Sequence, residues 1–327
     1  MLAYIIRRLL YVVPTLLGVN VLVFVLFFMV NTPDDMARQA LGEKNMDPLQ
    51  VERWKEAHGY EVPLFWNGEA NGTQKLTQTI FFRKSLAMLW GNFGHSDMTQ
   101  ESIGGEIRRR ALPSLCVSTP IFLATLLINI ILAMIVATKR GSVSDVVTQF
   151  LCVALMSISG LIYIIAGQYF FAKLLRWTPV SGFLQGMDMW KFLVLPILVG
   201  TVSGIGGGVR LYRTLFLEEI NRDYVRTARA KGLPPVKVYF KHLLKNALIP
   251  VITRASTVLP FLFTGSLLLE TFFGIPGLGY EGVNALNDAD LQMLKALVIL
   301  SAFLFVGINL LTDLAYAWAD PRVRLEK

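Results

Sequence analysis

Six stretches of this 327-residue chain run for 15 to 28 residues without a charged side chain, and they leave little freedom in what it can fold into. They cover residues 9–30, 111–138, 146–172, 192–209, 255–269 and 296–312. A bilayer's hydrocarbon core is about 30 Å thick and takes roughly 20 apolar residues as a helix, because every backbone polar group inside it must be satisfied within the segment. The first run follows Arg7 and Arg8 but, at 22 residues and without a small-residue cleavage site, is too long for a secretory signal. The 255–269 run reaches span length if it begins near Ala247 and carries Arg254 inside, its stem snorkelling to the interface. The last run extends past Asp313 toward Trp318. The chain is 54% hydrophobic and 17% charged, where soluble chains carry about 25% charged residues. The expected fold class is therefore an all-α polytopic membrane protein with six transmembrane helices and both termini on one side.

Net charge is +8, but the basic residues cluster beside the apolar runs, as membrane anchors do, so nucleic acid is not an expected partner. Sixteen Lys and Arg fall at the N-terminus, after the second run, between the fourth and fifth, and in the tail. The positive-inside rule puts that side, with both termini, in the cytosol. Residues 1–30 read as the first transmembrane helix and 31–112 as an extracytoplasmic insert with 10 basic and 11 acidic residues. The five-helix remainder, 113–327, contains a cytosolic loop over 210–247. Arg108, Arg109 and Arg110 run against this topology, although long loops are largely exempt from the rule. Within the insert, Pro48 to Glu56 reads as a short helix and Gly68 to Thr73 as a loop. The sequon Asn71-Gly72-Thr73 matters only in a eukaryotic secretory pathway.

Catalytic patterns are not found. Gly277-Leu278-Gly279-Tyr280-Glu281-Gly282 fits a dinucleotide fingerprint letter by letter but follows a membrane span instead of a strand. No P-loop is present, His58, His95 and His242 are isolated, and Cys116 and Cys152 lie inside apolar runs as buried thiols. The chain is expected not to be an enzyme, to hold no metal or cofactor, and to leave any ATP chemistry to a partner. Gly200, Gly204 and Gly208 recur every four residues, a small-residue face that lets helices approach closely.

The segment 217–250 is the most informative. Leu217, Ile220, Tyr224 and Ala228 fall at helical spacing on one face, and Glu218 precedes Arg222 by four. Gly232 suits a left-handed helix end and Pro235 the opening of the next helix. The result is a basic helix-turn-helix, either a solvated loop that sets topology or a docking surface.

This segment resembles the cytosolic coupling loop of bacterial ABC importer permeases, and 223–232, Asp-Tyr-Val-Arg-Thr-Ala-Arg-Ala-Lys-Gly, is close to the form of the peptide and nickel branch. Further matches run the whole length: Tyr4-Ile5-Ile6-Arg7-Arg8-Leu9-Leu10 with Pro14, Pro179-Val180-Ser181-Gly182, Glu270-Thr271-Phe272-Phe273 with Pro276-Gly277-Leu278-Gly279, Asp313-Leu314-Ala315-Tyr316, and Asp320-Pro321-Arg322-Val323-Arg324. The short N-terminus is similar to the first of the two permeases in dipeptide and oligopeptide systems. Two departures stand out. Arg226 and Thr227 occupy the first two places of the general Glu-Ala-Ala triplet, while Ala228 and Gly232 keep theirs, and the insert is longer than usual around Asn67 to Thr79.

The resemblance implies a type I ABC importer permease fold in the bacterial inner membrane, with di- or oligopeptides as cargo. It implies a heterodimer with a second homologous permease, two ATPases that bind ATP and Mg²⁺, and an extracytoplasmic solute-binding protein. Tyr224, Arg226, Thr227, Ala228, Arg229, Gly232, Leu233 and Pro234 would meet an ATPase, and bulk at Gly232 or charge at Ala228 would abolish transport with insertion intact. Ser157, Ser159, Ser203, Thr257 and Thr264 are candidates for the substrate path; Arg254, Glu270 and Asp313 are ionisable groups near the span ends. A secondary transporter would favour inverted repeats and mid-membrane charges, which the chain lacks. A membrane scaffold or receptor would use the 31–112 insert as a binding module.

Overall fold

Four helices of the computed structural model are long and apolar enough to cross a membrane: Leu10–Phe28, Ile103–Thr138, Met189–Ile220 and Leu291–Thr312. The number rises to as many as six if two bent helix pairs each form one span. The structure describes residues 2–42, 47–68, 70–184, 186 and 188–319. The C-terminal Asp320-Pro321-Arg322-Val323-Arg324 motif lies outside them. Among the described residues no strand forms beyond an isolated bridge between His95 and Ser102. Internal contacts divide the chain into Met1–Leu112 with Gly277–Lys327, and Pro113–Pro276. The first cut falls where the insert was expected to end; residues 277–327 group with 1–112.

In the first unit, short helices are set by their ends. Thr32 accepts from the Asp35 amide while Asp35 reaches back to the Thr32 amide, and Pro33 opens helix Pro33–Leu41. Helix Pro48–His58 starts with Asp47 accepting from the Leu49 amide and stops at Gly59, whose φ is +69°. Phe24, Phe28, Tyr60 and Ile80 are buried together, with the Phe24 and Phe28 ring centroids 4.5 Å apart. The Tyr60 hydroxyl donates to Asp97 at 2.9 Å, and Lys84 Nζ sits 3.5 Å above the Tyr60 ring. Burial pushes the Tyr60 hydroxyl above its ordinary range, helped by the Asp97 charge, and pulls the Lys84 amine down against the opposing pull of Asp97. Two members of the arginine triplet are matched with acids. Arg109 and Arg110 both bond Glu106, and Arg110 also meets Glu281 at 2.8 Å.

In the second unit two expected spans are broken. The 146–172 run divides into Val143–Ser157 and Gly160–Leu174, bent by 88°. Ile158 and Ser159 are extended, and the Leu155 carbonyl at the break accepts from both the Ile158 amide and the Tyr163 hydroxyl. The 255–269 run divides among Leu244–Ser256, Leu259–Thr264 and Leu267–Phe273. Pro260 removes a helix donor, and Gly265 at φ +73° takes a conformation closed to other residues. A Cβ at Gly265 would also collide with the buried Glu270 carboxylate, which accepts from the Ser266 amide. Absence of charge reports none of these breaks.

The fourth run lies in a 32-residue helix, Met189–Ile220, that continues well past Val209. Its glycine face lies against helix Ile103–Thr138. A Cβ on Gly200 would stand 2.6 Å from Ile121 Cδ1, one on Gly204 2.8 Å from Thr125 Cγ2, and one on Gly208 inside the Asn129 amide. The helix expected through 217–228 is two: Ile220 ends the long one, Arg222 is extended, and Asp223–Ala230 begins anew. Arg222 accordingly lies 4.0 Å from Glu219 and is not the partner of Glu218. The apolar faces still converge. Val225, Ala228, Val238 and Leu243 are buried with Phe216 and Tyr212, and Leu217, Ile220 and Tyr224 pack on them. Ala228 is 5% exposed, so a charge there acts on the elbow's own interior.

A buried ion pair fixes the start of Val143–Ser157 to the long helix. Arg213 donates to both Asp145 oxygens at 2.9 and 2.7 Å, and the Gly141 amide donates to the same carboxylate at 3.0 Å. Arg213→Ala, which strands a buried carboxylate, is expected to destabilise this unit by about 3 kcal/mol. Thermal unfolding in detergent reads the effect, and the double change Asp145→Leu with Arg213→Met should recover most of it. Ala228→Asp is expected to lower stability by a similar ~3 kcal/mol, whereas Gly232→Ala should cost only about 1 kcal/mol, the left-handed penalty alone; equal losses in the same melt would contradict the packing.

Candidate coupling elbow and groove

The elbow presents a surface unlike its interior. After Asp223–Ala230 the chain turns at Gly232, with φ +71°, and re-enters helix at Pro235. Among the described residues, chain neighbours aside, no atom lies within 4 Å of where a Gly232 Cβ would stand. The expected contact residues therefore separate into two sets. Arg226, Thr227, Arg229, Gly232 and Pro234 are exposed, whereas Ala228 is buried and Tyr224 and Leu233 are half-buried against the core. Val236 and Phe240, 67% and 53% exposed and one helical turn apart, add an apolar strip beside the turn. Neither was singled out in the sequence; the alternation of exposed Val236 and Phe240 with buried Val238 and Leu243 was the available signal.

Polar contacts stiffen the base. The Tyr224 hydroxyl donates to Glu219 Oε2 at 2.6 Å, closing the break at Arg222 from one helix to the next. Burial raises the Tyr224 hydroxyl far above its ordinary range, and the Glu219 carboxylate raises it further, so it stays a donor. Arg229 donates to the Tyr239 hydroxyl at 3.3 Å across the turn. Arg226 lies 3.9 Å from Asp223, both solvent-exposed, a contact of little energetic weight.

Within the same unit a groove of about 630 Å³ opens between Ile103–Thr138, Met189–Ile220 and the 254–269 segment. Gly200, Gly204 and Gly208 form part of its wall, as do Ser203 and Thr257 of the expected path residues; Ser157, Ser159 and Thr264 do not. Ser203, Thr257 and Ser157 each donate to a carbonyl of their own helix, at 2.9, 2.7 and 2.9 Å, which leaves hydroxyl oxygens as acceptors. Thr125, Asn129 and Arg254 also line the groove. Asn129 was invisible to a search for hydroxyls and charges, although an amide in a 28-residue apolar run is itself a signal.

Two motifs far apart in sequence meet at one end of this unit. Gly182 donates to the Phe273 carbonyl at 2.8 Å, and Gln168 Nε2 donates to the carbonyls of Val180 and Phe272 at 3.0 and 2.9 Å. Gly274 approaches Gly182 so closely that a Cβ would lie 3.3 Å from its amide.

Residues 129–325 match the family of binding-protein-dependent transport system inner membrane components. Over its whole length the chain is 33% identical to all of a di/tripeptide transport system permease protein of Pseudomonas aeruginosa. It is 31% identical to a glutathione transport system permease protein of Escherichia coli, over 99% of each chain. Apolar helices, the Gly232 elbow and end-to-end similarity agree: this chain belongs to the binding-protein-dependent inner membrane components, as a multi-pass ABC importer permease of the peptide and nickel family.

Proposed function

We propose that this permease carries di- or oligopeptides inward as half of a heterodimeric pore, driven by two cytosolic ATPases and supplied by an extracytoplasmic solute-binding protein. Both termini and the 210–247 loop face the cytosol in this reading, supported by the basic residues that flank them. ATP and Mg²⁺ reside on the ATPases. The observation that carries the reading is Gly232, a left-handed turn with open space around it on a base that is itself buried. Such a part transmits force without yielding: it can enter a groove on a partner, and its core keeps it rigid relative to Met189–Ile220. Closure of the ATPases moves the elbow, and the long helix carries that motion to the groove wall, coupling two distant sites. Peptides are the cargo class because relatives over the full chain are named for di/tripeptides and for glutathione, all amide-linked molecules with carboxylates.

Because a Cβ at Gly232 meets no described residue beyond its chain neighbours, bulk there is expected to act on the partner. Gly232→Trp in the reconstituted complex is expected to leave membrane insertion unchanged and lower ATP-driven peptide uptake at least tenfold, with loss of ATPase copurification; normal uptake and association would sink the coupling role.

A further inference from the structure

We infer that Asn129 and Arg254 form a polar station on the groove wall that holds the carboxylate end of the transported peptide, Arg254 taking the carboxylate and Asn129 an adjacent N–H. The inference deepens the peptide-import reading and rests on it. Arg254 is the one charged side chain on the groove wall, no carboxylate shares that wall, and Arg254 pairs with none elsewhere among the described residues. An exposed cation facing an apolar cavity without a counter-ion is costly in a membrane protein and creates a positive field where an anionic group would be neutralised. Guanidinium also matches a carboxylate with two parallel N–H donors.

Asn129 supplies the second observation. It is 3% exposed and lines the groove, and its Nδ2 donates to the Gly204 carbonyl at 3.4 Å while Oδ1 has no partner. The Thr125 hydroxyl, one turn away on the same helix, is equally unpartnered. A buried acceptor left open is unfavourable unless something arrives to fill it. The lack of a Cβ at Gly208 is what admits the Asn129 amide at this position. Together these groups offer acceptors for N–H and a cation for carboxylate, the two ends of a peptide's terminal residue.

The test uses the full complex with its binding protein in proteoliposomes and compares uptake of a labelled dipeptide with that of its C-terminal amide. The binding protein's own preference cancels when the free-acid to amide ratio of a variant is divided by that of the unaltered complex. Arg254→Gln should lower this ratio about tenfold, the scale of one charge-assisted hydrogen bond, and Arg254→Lys should hold it within about threefold. Rates are normalised to the amount of complex, so a ratio unmoved by Arg254→Gln overturns the station. An independent measurement leaves Arg254 intact: with Cys116 and Cys152 replaced by Ser, Ser203→Cys on the same wall should react several-fold faster with an anionic than with a cationic thiosulfonate, each rate divided by that reagent's rate with a free thiol in solution. Equal or reversed rates also overturn it. Absence of ATP-driven uptake of both peptides by the unaltered complex sinks the import reading itself; uptake with an unmoved ratio sinks only this inference.

Discussion

The second unit depends on the side chains that Ile103–Thr138 places into the glycine face of Met189–Ile220. Helices in a bilayer gain nothing from hiding apolar surface, since lipid is as apolar as leucine, so they associate through close packing and shared polar contacts. Gly200, Gly204 and Gly208 receive Ile121, Thr125 and Asn129 where any Cβ would collide. The same glycines are also part of the groove wall. One face thus both receives these side chains and forms part of the wall of the adjoining cavity.

The same long helix also packs on the elbow. Met189–Ile220 holds Asp145 through Arg213, ends at Ile220, and joins Asp223–Ala230 through the Tyr224 to Glu219 bond. Phe216 and Tyr212 on the long helix share their packing with Val225 and Ala228 on the short one. Continuous packing thus joins the helix that precedes Gly232 to the helix that forms part of the groove wall.

Much of this was legible in the sequence, and the failures have physical causes. Apolar run length located the long helices, and Gly232 with Pro235 located the turn, because membrane depth and left-handed backbone are demands few residues meet. The breaks at Ile158–Ser159 and around Gly265 escaped, because charge-free length measures the cost of crossing lipid and not backbone continuity. The helix end at Ile220 escaped because both helices put apolar residues toward one core, so a single periodic stripe survives a real interruption. Ala228 could not be sorted from Gly232 by sequence position: one faces inward and the other outward only once the second helix folds back. The acids beside Arg109 and Arg110, Glu106 and Glu281, lie one turn away and far off in sequence, so only the first could be read from spacing.

An elbow that is solid within and bare at its tip has a consequence for how such machines diversify. Arg226 and Thr227 are exposed and, among the described residues, make only the weak Arg226 to Asp223 approach and the Thr227 bond to its own helix. Their identities are therefore free of demands from the elbow's interior, and what selects them lies outside this core.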